Sequence, residues 1–179
     1  MKRVAIVLCL LVATTQMQPA AATSRVEVQG GSHSQVASVT WAIERFEAAG
    51  LELPLLTLDI HDSKAGCDGH DGLYTPRSGS DGIDICTDAA FIILHELGHA
   101  WEHRFGTDEA RAGLMAELGL DAWTGQDVKY RSRGEEVSAN LVAWGLVERP
   151  LTETEIRTKA EALARFESLT GVPSPRVTE

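Results

Sequence analysis

The residues most capable of chemistry lie in one run, Phe91-Ile92-Ile93-Leu94-His95-Glu96-Leu97-Gly98-His99-Ala100-Trp101. Its centre reads His-Glu-x-x-His inside an apolar stretch of helical length. Side chains four apart share a helix face, one turn above the other. The imidazoles of His95 and His99 can therefore reach a single ion. Glu96 lies about 100° further round the helix, beside an ion's open position without filling it. Two nitrogen ligands and an adjacent carboxylate are the parts of a zinc hydrolase, with the carboxylate as general base. Leu94, Leu97 and the preceding Phe-Ile-Ile supply a buried face, and Thr87 and Asp88 are expected to cap the helix and charge its first turn. Two histidines facing an apolar interior without a metal would each need another polar partner.

A catalytic zinc site takes three protein ligands and keeps one position open. His103 is one turn beyond His99, and the helix rises about 6 Å over those four residues, which carries a third ring away from the ion. The metzincin pattern places Gly and His three and six residues after the second His; Glu102 and Phe105 stand there instead. Asp108 and Asp121 sit in no recognisable frame. Glu136, in Arg133-Gly134-Glu135-Glu136-Val137-Ser138-Ala139-Asn140, is the better candidate. On a helix Glu136 and Asn140 share a face, so a carboxylate could bind the ion while the amide one turn on supports a ligand histidine. Ala139, Val142 and Ala143 make that face apolar. Glu135 suits a solvated first turn, where the helix dipole favours acidic residues.

Residues 1–22 read as a secretory signal peptide: Lys2 and Arg3, an apolar run from Val4 to Val12, and Ala20-Ala21-Ala22 before the cut. The run is about half the ~20 residues a membrane span needs, and Leu8 makes Cys9 a poor lipid-attachment site. The remaining domain, residues 23–179, is long enough for one core. Of 179 residues, 16 are Lys or Arg and 26 Asp or Glu; losing Lys2 and Arg3 leaves 14 basic residues and a net charge of −12. That balance argues against nucleic acid or an anionic membrane as partner. Cys67 and Cys86 are then the only cysteines, in a compartment where disulfides persist. A disulfide is expected over the rival reading of two thiolate zinc ligands, because the spacing is not Cys-x-x-Cys.

The elements that must position these residues are legible from periodicity. A helix is expected over Ser34–Ala49, with Val36, Val39, Ile43 and Phe46 on one face and Gly50 at its end. Leu55–Ile60 alternates as a strand with Leu56, Leu58 and Ile60 on one side. Residues 61–82, with three Asp-Gly pairs, read as a long stapled loop. A short strand, Ile83–Cys86, leads into the His-Glu-x-x-His helix, which Gly106 closes. Further helices are expected from Thr107 to about Leu120 and over Glu135–Val147. A last one starts at the capping box Thr152-Glu153-Thr154-Glu155, with Ile156, Ala160, Leu163 and Phe166 inward. The tail after Gly171 reads as frayed. The class is α+β, a single small domain that is mostly helical with a small early sheet.

His-Glu-Leu-Gly-His followed by Glu136-x-x-Ala-Asn140 resembles the gluzincins, the thermolysin-like side of the zincin-like metallopeptidases. The likeness is strongest to their small single-domain kind, including the repressor-cleaving peptidases of the ImmA/IrrE type. Cys67, Cys86, His-Glu-Leu-Gly-His-Ala-Trp and Ala143-Trp144-Gly145-Leu146 also resemble small exported actinobacterial proteins of peptidase character. The resemblance spans about residues 67–147. It implies one catalytic zinc on His95, His99 and Glu136, catalysis by Glu96 and ligand support from Asn140, where thermolysin-like enzymes carry aspartate. The expected activity is hydrolysis of a peptide or protein substrate by a secreted monomer; a zinc-containing domain that binds peptide without turnover is the alternative. Tyr130, His103, Tyr74 and His70 are candidate transition-state donors, Tyr130 foremost. The Ile83–Cys86 strand could offer an edge to an extended peptide. The four tryptophans, Trp41, Trp101, Trp123 and Trp144, read as core.

Overall fold

A computed structural model describes residues 25–125, 127–148 and 158–177. Strand β1 (Val26–Gly30) leads to helix α1 (His33–Ala48) and then to strand β2 (Leu56–Ile60). Strands β3 (Gly72–Thr75) and β4 (Asp81–Ile85) form a hairpin, followed by helices α2 (Ala90–Phe105), α3 (Asp108–Leu118), α4 (Gly134–Leu146) and α5 (Lys159–Thr170). The sheet order is β1-β2-β4-β3, with β1, β2 and β4 parallel and β3 antiparallel to β4. The α+β class is thus the observed one. Leu56, Leu58 and Ile60 of β2 alternate inward as expected and meet Ile83 and Ile85 of β4 in the core. Val39, Ala42 and Phe46 of α1 join them, together with Ile93, Leu94 and Leu97 of α2.

Several expectations are corrected. Ahead of the first expected helix the chain forms β1, for which no element was expected, with Val26 and Val28 partly buried beside β2. The stapled loop contains a 3-10 turn, Lys64–Cys67, and the whole of β3. Pairing with β4 supplies the strand's hydrogen bonds, a non-local term that four residues beginning with glycine do not advertise. Strand β4 is consequently covered on both sides, by β2 and β3, and the sheet's edges are β1 and β3. Thr87 does not cap α2: its hydroxyl accepts from the Ala89 N–H at 3.1 Å, before the helix begins. Thr107 does cap α3. On α5 the inward residues are Ala162, Phe166 and Leu169, whereas Ala160 is exposed. The Thr152 capping box, Ile156 and the signal peptide lie outside the described residues. Cys67 and Cys86 are bonded to each other. No helix among the described residues is long and apolar enough to cross a membrane.

The tail is not frayed. It turns back onto the C-terminal end of α4, where helix carbonyls lack intrahelical partners. Ser174 Oγ donates to the Gly145 carbonyl at 2.5 Å, and buried Arg176 donates to the carbonyls of Trp144 and, at 2.9 Å, Val147. Arg45 of α1 donates to the Leu146 carbonyl at 2.9 Å. Both guanidinium groups also place positive charge where the helix dipole is negative.

Candidate metal centre

Helices α2 and α4 make the broadest contact among the described elements, and Gly98 sets their separation. A Cβ at Gly98 would lie 3.1 Å from the Ala139 carbonyl oxygen and 3.2 Å from its Cα. The glycine between the two histidines thus lets the α4 backbone come close enough for Glu136, one turn before Ala139, to reach them. The first turn of α4 has no side-chain cap; backbone carbonyls of Ala122 and Trp123 accept from the N–H groups of Gly134 and Glu135 at 2.9 and 3.0 Å. This anchors the turn that carries Glu136.

Three donor atoms converge. His95 Nε2 and His99 Nε2 are 3.0 Å apart, and Glu136 Oε2 is 3.3 Å from each. An ion bound tetrahedrally at about 2.0–2.1 Å spaces its ligand atoms about 3.3 Å apart. The donor set and its spacing therefore fit a small divalent ion. All three side chains are nearly closed to solvent, with exposures of 7, 13 and 13%. His, His and Glu form the one convergent group of metal-ligating type found among the described residues. Burial alone would raise the Glu136 carboxyl, but hydrogen bonds with His95 and His99 and their charge outweigh it, holding the group well below the usual carboxylate range.

The surroundings orient these side chains. His95 Nδ1 lies 3.1 Å from Asn140 Oδ1. An amide oxygen only accepts, so Nδ1 carries the hydrogen and Nε2 turns its lone pair to the shared centre. Glu96 is 7% exposed and packs against β3, where a Cβ at Gly72 would lie 2.8 Å from its Oε1. Burial, countered in part by His95 and reinforced by Glu136, pushes the Glu96 carboxyl up to about 7, while the Tyr74 backbone N–H donates to it. Tyr130 reaches in from a 3-10 turn, Tyr130–Ser132, and its Oη is 3.3 Å from His95 Nε2. Burial, and then the Glu136 carboxylate to which it hydrogen-bonds, push the Tyr130 hydroxyl far above its ordinary value, so it is a proton donor.

A cleft of about 1150 Å³ opens over the centre. Phe91, Ile92 and Trp144 form an apolar wall near the start of α2; Glu102, Arg111 and Glu135 form a charged one towards its end. Glu135 is half-buried in this wall, with its carboxyl raised by burial and by Glu136, and so is not the solvated residue expected. His103 is exposed at the rim, its ring 6.0 Å from that of Tyr74. Asp108 and Asp121 are exposed and outside the group. His70 lines the cleft, whereas the Tyr74 hydroxyl is turned away to donate to Asp81 Oδ2 at 3.0 Å. Of the tryptophans, Trp101 is core, Trp144 is buried yet forms cleft wall, Trp123 lines the cleft, and Trp41 is exposed beneath Arg45. Buried Glu102 pairs with Arg111 at 2.6 Å, and the one sequence signal of that pair is an acidic residue on the otherwise buried α2 face. No protein-family model, no curated protein and no solved structure matches this chain.

Proposed function

We propose that this chain is a secreted zinc-dependent peptidase of the gluzincin kind. The observation that carries the reading is the convergence of His95 Nε2, His99 Nε2 and Glu136 Oε2 at 3.0–3.3 Å, with the buried carboxyl of Glu96 next to them. His95, His99 and Glu136 would hold a zinc ion, which would supply an acidified water and polarise a carbonyl. Glu96, buried beside the three donors, would be the base that accepts a proton in the reaction and returns it to the leaving amine. The Tyr74 N–H fixes one side of the Glu96 carboxylate. Asn140 fixes the tautomer of His95. Tyr130 is the neutral donor that reaches the centre and is suited to the developing oxyanion.

An extended substrate fits along β3 and not β4. β3 is the sheet edge that borders the cleft, its residues Gly72, Leu73 and Tyr74 line it, and, the Tyr74 N–H held by Glu96 aside, an edge strand offers backbone groups to an extended partner. The Cys67–Cys86 bond is compatible with an oxidising compartment. The test is digestion of a peptide library by purified residues 23–179, with and without zinc, beside Glu96→Gln. Cleavage that needs both zinc and Glu96 supports the reading. Failure of the zinc-loaded protein to cleave any peptide, or cleavage that survives Glu96→Gln, overturns it.

A further inference from the structure

The carboxyl of Glu96 is held from outside its own helix by β3. The Tyr74 N–H donates to it, and Gly72 lies so near that a Cβ there would be 2.7 Å from Glu96 Cγ. Both contacts sit on the shortest of the four strands. β3 has four residues, pairs with β4 alone and is an edge, the kind of element that opens at least cost. Its two ends are tied down differently. At the hairpin end, buried Asp81 accepts from the Tyr74 hydroxyl at 3.0 Å and from the Arg77 N–H at 2.9 Å. At the other end the Cys86 N–H donates to the Asp71 carbonyl at 2.9 Å, and the exposed Lys64–Asp71 ion pair adds little. The covalent tie there is Cys67–Cys86. Buried Cys67 ends the 3-10 turn ahead of β3, and Cys86 directly follows β4, so the bond closes the base of the hairpin. The segment it closes, residues 67–86, contains both contacts to Glu96. It contains none of His95, His99 and Glu136, which project from α2 and α4.

We infer that the Cys67–Cys86 bond is a positioning device for Glu96: it holds β3 against α2, so that Gly72 and the Tyr74 N–H fix the carboxylate beside the three donors. Metal binding and turnover are thereby separable. A chain without the bond keeps its donors on two packed helices and takes up the ion, while the strand that orients Glu96 is released at one end. Misplacing a reacting group by about 1 Å can cost about 100-fold in rate. The role given to Glu96 rests on the peptidase reading above; the hold of the bond on β3 does not.

The test compares residues 23–179 with two variants, Cys67→Ala/Cys86→Ala and Gly72→Ala; the second keeps the bond but presses a methyl on Glu96 directly. Both should bind zinc with wild-type affinity. At saturating peptide, kcat should fall by about 100-fold in each. In the metal-free double variant the Tyr74 amide should lose its protection from hydrogen exchange, while the amides of β2, inside the sheet, keep theirs. Wild-type kcat in either variant, a rise in KM alone, or a Tyr74 amide as protected as before overturns the inference. Zinc lost together with activity overturns it too, since the bond would then hold the whole fold and not Glu96. If zinc-loaded wild type cleaves no peptide, the peptidase reading fails, and exchange at the Tyr74 amide alone decides whether the bond holds β3 in place.

Discussion

Glu96→Gln should make the metal-free protein more stable at pH 8 while abolishing its hydrolytic activity. The carboxyl is nearly sealed between α2 and β3, and burial lifts it from an ordinary 4.5 to about 7. A carboxyl whose folded value is raised favours the native state while protonated. Its stabilising contribution is complete below about 4.5 and is lost as pH climbs through 7. Above 7 the native state holds a buried charge that the unfolded chain keeps in water. The interval from 4.5 to about 7 corresponds to roughly 3 kcal/mol, an upper figure because the surroundings relax. Glutamine keeps the shape, and its amide oxygen can still accept from the Tyr74 N–H. The variant should therefore gain up to ~3 kcal/mol at pH 8 and almost nothing at pH 4. For a chain of this size that is several degrees in Tm at ~2–4 °C per kcal/mol. Urea denaturation of chelator-treated wild type and variant at both pH values measures it. A variant less stable at pH 8, or a gap equal at the two pH values, would refute the argument that Glu96 is desolvated and strained by its charge.

Glu136→Ala should lose zinc by far more than 100-fold and all activity, whereas Asn140→Ala should lose about 10–100-fold in zinc affinity and Glu135→Ala should keep its ion; zinc stoichiometry of the three variants decides the ligand assignment. The mature protein should show no free thiol until reduced, and reduction should cost about 3 kcal/mol for a closed loop of about 20 residues, read by thiol titration and denaturant midpoint. Gly98→Ala should lower stability by about 1–3 kcal/mol, because the added methyl presses on the Ala139 backbone. It should also weaken zinc binding, since relief of that contact moves Glu136 away from the histidines; unchanged zinc affinity would show that the α2–α4 separation does not set the site.

How much was legible depended on how local each determinant is. His95, Glu96 and His99 declare themselves because three residues within one helical turn need only the helix period to converge. Glu136 was reachable because Asn140 and an apolar face put the same period to use forty residues later. The two remaining cysteines left one intrachain pairing. What stayed hidden depends on partners distant in sequence. β3 is a strand because β4 pairs with it, and that pairing moved the available sheet edge from β4 to β3. A first-turn position predicts a solvated Glu135, but the charged cleft wall that half-buries it comes from α2 and α3. The inward face of α5 is set by close approach at Gly145, where a Cβ would collide with the Phe166 ring, a contact that apolar spacing within α5 does not encode.

The clasp at the end of α4 imposes an order of events on a chain made from its amino terminus. The two histidines and Glu136 are all present once residue 136 has emerged, yet the helix bearing Glu136 is still open at its far end. Its last carbonyls wait for Ser174 and Arg176, which arrive some thirty residues later. Without them the end of α4 keeps the bond from Arg45 to the Leu146 carbonyl. A chain cut before Ser174 would keep His95, His99 and Glu136 but lack the contacts that close the far end of the helix carrying the third of them.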